Sequence, residues 1–120
     1  MQLLQAAADL VRGPYLADID SAWADAERSQ FEIDHLKNLI QLAELYLDTD
    51  QPDLTIKICQ LILKTNRLLE EAYRLLIRAH SQRGDRSAAA EVYKKCSTIL
   101  LRELGIRPDS ETERIYRLLI

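Results

Sequence analysis

Apolar residues recur three and four positions apart along most of the chain, and the runs are broken at glycine, proline and aspartate. This spacing predicts six helices. The first covers residues 2–12 and stops at Gly13-Pro14, where glycine supplies a left-handed cap and proline cannot continue the helix. Residues 15–20 read as a short connection. A long helix over 21–48 follows, with Asp20 or Ser21 as N-cap. Its apolar positions are Trp23, Phe31, Leu36, Leu39, Leu42, Ala43 and Tyr46, and the polar Arg28-Ser29-Gln30 stretch is where it would divide in two. Pro52 suits the first position of a helix reaching residue 64. Residues 68–83 form the next, ended by Gly84. Asp85 caps a helix over 86–104, ended by Gly105. Ser110 and Glu113 have capping-box spacing and open a last helix through residue 119.

A shift of 34 residues partly overlays the chain on itself. Leu42 falls on Leu76, Asp50 on Gly84, Ile58 on Val92, Cys59 on Tyr93 and Ile62 on Cys96. This is the period of the tetratricopeptide helix–turn–helix repeat. Two units result, about 36–67 and 70–101, with Ala43 and Ala89 as small packing residues and Tyr46 and Tyr93 as large ones. Arg67 and Leu101 stand where proline usually closes a unit, and Thr55 and Ile77 replace smaller residues. Two units cannot bury their outer faces alone. The expectation is therefore an all-α, tetratricopeptide-like array of antiparallel helix hairpins with capping helices at both ends, one domain over residues 1–120. Residues 1–35, carrying Trp23 and Phe31, would cap one end. Residues 109–120, carrying Ile115, Tyr116, Leu118 and Leu119, would cap the other.

Composition narrows the function. Glycine and proline number three each, and every glycine follows a helix, so no glycine-rich loop is present to cradle a phosphate. No apolar run approaches the length of a membrane span. Cys59 and Cys96 sit within helical patterns, without metal-ligand spacing to another Cys or His, and read as reduced core thiols of a cytoplasmic protein. Glu32 and His35 have the Glu-x-x-His spacing of di-iron bundles but lack a second copy, and a solvated helix face explains them. His80 stands where the repeat has an aromatic and reads as a partly buried, hydrogen-bonded histidine. Two histidines support no catalytic constellation, so the expectation is no enzyme, no cofactor and no metal.

Charge is uneven. Residues 1–60 carry 4 Lys/Arg against 11 Asp/Glu, and residues 61–120 carry 12 against 8, so the halves are -7 and +4. Such asymmetry marks either a basic partner surface or ordinary differences between solvent faces. In the repeat register the first helix of each unit lines a concave face, placing Lys37, Ile40, Glu44 and Leu47 there from one unit and Glu71, Arg74, Arg78 and Ser81 from the other. Lys37, Glu44, Arg74 and Arg78 are the candidate partner-binding residues. Arg74 and Arg78 share a face; they would either clamp an acidic peptide or pair with Glu44 or Glu71.

The stretch Leu10-Val11-Arg12-Gly13-Pro14-Tyr15-Leu16, with Trp23 before Ala26-Glu27-Arg28, resembles the opening of the bacterial transcriptional activator domain. So do Glu70-Glu71-Ala72-Tyr73-Arg74-Leu75-Leu76 and Arg83-Gly84-Asp85-Arg86 in the centre. The ending, from Leu101-Arg102-Glu103-Leu104-Gly105 through Pro108, Glu111-Thr112 and Ile115-Tyr116, is similar to the family's own. The resemblance covers nearly the whole chain. It implies a protein–protein interaction and dimerisation module of regulators of the antibiotic-regulatory-protein type, contributing to transcription activation. The implied partners are the regulator's own DNA-binding domain, the transcription machinery or a second copy. No recognition helix is legible, so no direct DNA contact and no membrane contact is expected, and the chain reads as a domain of a longer regulator. The competing readings are a stand-alone scaffold unrelated to transcription and a ligand-sensing helical domain.

Overall fold

The computed structural model describes the backbone of residues 14–119 and the side chains of residues 22–119. Five helices and no strand occur among the described residues: α1 (Pro14–Asp48), α2 (Pro52–Thr65), α3 (Glu70–Gln82), α4 (Arg86–Leu104) and α5 (Ser110–Leu119). The helix expected over residues 2–12 lies outside them. The chain divides into two compact units, Met1–His35 and Leu36–Ile120.

The long helix starts earlier than its sequence suggests and does not break. Residues 15–20 are helical rather than a connection, and Arg28-Ser29-Gln30 lies within unbroken α1. Pro14 is tolerated because the first helical turn needs no amide donor. In the first unit, Trp23 is 67% exposed and Phe31 70% exposed, so the expectation that these rings are buried as a cap is not met. The positions one turn from Phe31 are Glu27, Arg28, Asp34 and His35, so no apolar neighbour joins its ring in a stripe. Phe31 instead stacks on His35, one turn along, with ring centroids 6.0 Å apart.

In the second unit the stripe is continuous. Leu36, Leu39, Ile40, Ala43 and Leu47 all join one cluster with Ile56, Cys59 and Ile62 of α2 and Ala72, Leu75, Leu76 and Ala79 of α3. Leu42, counted among the apolar positions from sequence, is on the solvent side and 38% exposed. A second cluster gathers Tyr73 of α3 with Cys96, Ile99 and Leu100 of α4. Thr55 is fully buried, and its hydroxyl donates to the Ala43 carbonyl at 2.9 Å, joining α1 to α2. That bond explains a hydroxyl where the next unit has Ala89: burial without a partner would cost about 1–3 kcal/mol.

The repeat persists in the backbone. At the α1–α2 turn, Thr49, Asp50 and Gln51 donate to the carbonyls of Leu45, Leu47 and Tyr46. At the α3–α4 turn, Arg83, Gly84 and Asp85 donate to Ala79, Ser81 and His80. Every donor and acceptor is displaced by the same 34 residues. Asp50 adopts the left-handed conformation (φ 61°) that Gly84 adopts in its own turn (φ 79°). The two turns share one geometry although only one has the residue that suits it best, and Asp is among the few side chains that tolerate it. Gln82 ties the two turns, donating to Asp50 Oδ1 at 3.2 Å.

The last helix differs from its sequence reading at its start. Asp109, not Ser110, is the cap: its carbonyl accepts from the Glu113 amide, and its carboxylate accepts from the Ser110 amide and hydroxyl. Glu113 pairs forward with Arg117 instead of reaching back. Along α5, Thr112 is fully buried and Tyr116 stacks on Tyr93 of α4 at 3.9 Å, while Leu118 is 69% exposed. Leu118 therefore takes no part in the packing expected of it.

Candidate interaction groove

The outer side of α3 carries a run of charge, Glu70, Glu71, Arg74 and Arg78, over an apolar face that enters both core clusters. The i, i+4 rule sets these charges on neighbouring turns. Three of the four residues expected to bind a partner come together here. Glu44, Arg74 and Arg78 line a cleft of about 130 Å³, closed on the far side by Glu111 and Ile115 of α5. Lys37 does not line it. Ile40 and Leu47, also assigned to this face from sequence, are 7% and 6% exposed and belong to the core. The reason is register: both lie on the stripe that meets α2 and α3, one turn from Ala43. A second cleft of about 230 Å³ is lined by Arg78, Ser81, Gln82 and Leu119 together with Leu47 and Asp48, so Leu47, though packed in the core, also reaches the face assigned to it from sequence, as Ser81 does.

The two arginines have different surroundings. Arg74 is half-buried and engaged, donating to the Thr112 hydroxyl at 3.1 Å with the Glu70 carboxylate 3.7 Å away. Glu70 Oε2 also accepts from the Asp109 amide at 2.7 Å and from the Thr112 hydroxyl. Glu70, Arg74 and Thr112 thus form a clasp that seats the start of α5 against α3. This is the self-pairing alternative for Arg74, although the acid is Glu70 rather than Glu44 or Glu71. Arg78 is exposed and, among the described residues, has no carboxylate in ion-pairing distance. The Glu111 carboxyl at the cleft's rim is held below its ordinary value, chiefly by its hydrogen bonds from Arg114.

Sequence reasoning missed Glu70 and Thr112. Glu70 shows at the right helical spacing from Arg74, but its partner is 42 residues away, beyond the reach of any local pattern. It also missed four exposed leucines: Leu42 and Leu45 on α1, and Leu54 and Leu61 on α2. Here a signal existed, because Leu54, Ile58 and Leu61 repeat at helical spacing on a face other than that of Thr55, Cys59 and Ile62.

His80 is partly buried as expected, but its Nδ1 is buried without any hydrogen-bond partner. Burial pushes its pKa below the ordinary value of 6.5; Arg83 adds to that and Asp85 opposes it. Cys59 and Cys96 are free thiols with no exposed surface, and burial pushes both pKa values up to about 12. No group of three His, Cys, Asp or Glu side chains converges among the described residues. No helix among them is long and apolar enough to cross a membrane.

A family model described as the bacterial transcriptional activator domain matches residues 1–119. Comparison with curated proteins and with solved structures returned no match.

Proposed function

The chain belongs to the bacterial transcriptional activator domain family, and from that premise we propose that it is the protein-contact module of a cytoplasmic transcription regulator, holding the regulator's DNA-binding domain, the transcription machinery or a second copy of itself. The family is a regulatory one rather than an enzymatic one. The observation that carries the contact reading is the set of leucines left uncovered on the first hairpin. Leu42, Leu45, Leu54 and Leu61 are 38%, 56%, 37% and 51% exposed. Large apolar side chains left exposed on consecutive helices are candidates for a surface that another protein covers. Burying one leucine side chain contributes about 1.5–3 kcal/mol.

The groove contributes through charge. Within this reading Arg78 supplies the free guanidinium for an acidic partner segment and Glu44 the opposing charge. Arg74 acts indirectly, by holding α5, and Lys37 adds long-range attraction from outside the cleft. Side-chain fit on the leucines then sets the lifetime of the complex, and the exposed charges set its rate of formation.

Light scattering on the chain alone, and on the chain mixed with the DNA-binding domain encoded in the same reading frame, tests the proposal. The expected result is a defined complex, lost in Leu45→Glu and Leu61→Glu and weakened by Arg78→Ala at low salt, with that difference shrinking as salt rises. A chain that stays monomeric in both settings, with the leucine variants indistinguishable from the parent, would overturn it.

A further inference from the structure

On the side of α3 away from the groove, α2 and α4 stand apart enough to leave a cleft of about 400 Å³. Leu63 of α2, Leu76 of α3 and Val92 of α4 make its apolar lining. Lys64 and Lys95 line it too, one from each flanking helix, and both are exposed. Among the described residues neither ammonium is paired with a carboxylate. His80 of α3 completes the lining, and its Nδ1 is the one buried side-chain nitrogen or oxygen without a partner among the described residues.

We propose that this cleft is a binding site for a small organic anion with an apolar body, a carboxylic acid of medium chain length being the simplest example. Two features select that chemistry together. The volume falls within the range of about 300–1,000 Å³ usual for small-molecule sites, and such sites are mostly apolar with a few converging polar groups. The two lysines bring positive charge to opposite edges with no carboxylate of the described residues in ion-pairing distance. A cation is repelled by both rims, and a fully polar anion leaves the apolar lining uncovered. The site is separate from the leucine face and from the Arg78 groove, so its existence does not depend on the proposed function.

Titration of the chain with octanoate, followed by amide and imidazole nitrogen chemical shifts, tests the proposal. The expected result is saturable shifts confined to Lys64, Leu76, His80, Val92 and Lys95, including the His80 ring nitrogens. Lys64→Gln with Lys95→Gln should weaken octanoate binding by about tenfold or more, the loss expected for charge-assisted hydrogen bonds. Both positions are exposed, so the double variant keeps the fold, which unchanged amide shifts elsewhere verify. Octylammonium, with the same chain and opposite charge, should produce no saturable shifts at these residues. Octanoate shifts that do not saturate, that map elsewhere or that persist unchanged in the double variant overturn the proposal, as does equal binding of octylammonium.

Discussion

Replacing Thr112 with valine removes one hydroxyl from a fully buried site and leaves its shape in place. In the native fold that hydroxyl donates to Glu70 Oε2 and accepts from the Arg74 guanidinium at 3.1 Å. Both partners are charged, with side chains only 18% and 20% exposed, so solvent screens them little. Hydrogen bonds to charged groups contribute about 1.5–3 kcal/mol each. The two here share one hydroxyl, and Glu70 retains the Asp109 amide as donor. The valine variant should therefore lose about 2–3 kcal/mol rather than twice that. For a domain of this size the loss corresponds to a fall in Tm on the order of 8–12 °C. It should also be uneven: amides of α5 should exchange faster, while those of α2, which makes no contact with the clasp, keep protection until global unfolding. Glu70→Ala should cost more, because it leaves Arg74 half-buried without its carboxylate. Urea denaturation and hydrogen exchange on the two variants provide the check. A change below about 0.5 kcal/mol for Thr112→Val, with native protection along α5, would refute the view that this clasp seats the last helix.

Further outcomes follow from single sites. Gly84 has φ 79° and nothing within 4 Å of an added Cβ, so Gly84→Ala should cost about 1–2 kcal/mol from backbone strain alone, and Gly84→Asn less, by urea denaturation. His80 has a folded-state pKa below its unfolded value of 6.5, so its contribution is fully present above that value and is lost as pH falls through the lowered one; the stability difference between the parent and His80→Gln should drift with pH in that window and be flat above it. Cys59 and Cys96, with pKa values of about 12, should resist a thiol reagent at pH 8 until the domain unfolds, and reaction at the rate of a free thiol in the native state would contradict their burial.

What the sequence made legible was set by the range of the interactions involved. Helices α2 and α4 begin where Pro52 and Asp85 place them, because capping is decided within one turn. The repeat offset was legible for the same reason: the turn between paired helices recurs bond for bond 34 residues later. The apolar stripe on α1 was half legible. Leu36, Leu39 and Ala43 were assigned to it, whereas Ile40 and Leu47 were placed in the groove; Ile40 belongs to the core alone, and Leu47 to the core with an edge on the second cleft, because the repeat register does not say how far a neighbouring helix overlaps the stripe. Trp23 and Phe31 were expected to be buried as apolar positions at three-and-four spacing, yet every neighbour one turn from Phe31 is polar, and both rings are exposed. The clasp lay out of reach, since Glu70 and Arg74 read as an ordinary i, i+4 pair until α5 arrives from beyond a turn that begins at Gly105.

The groove and the opposite cleft differ in one respect that bears on function. On the groove side two of the four charges of α3 are answered from within the chain, Glu70 and Arg74 by each other and by Thr112, while Glu71 and Arg78 have no ion pair among the described residues. Only Arg78 is left over among the described charges lining that cleft on α3 as a cation without an acid. On the opposite side Lys64 and Lys95 face an apolar lining with no acid between them. The positive excess of residues 61–120 is therefore not spread evenly over solvent faces; part of it borders a concavity. Exposed, mutually separated cations in bulk water contribute little to affinity because solvent screens them. Cations bordering an apolar cleft act on a ligand through a region of lower dielectric and are worth more. On this ground an anion should discriminate between the two faces, binding at the α2–α4 cleft in preference to the α3 groove, even though the arginines of the groove are the more conspicuous feature of the sequence.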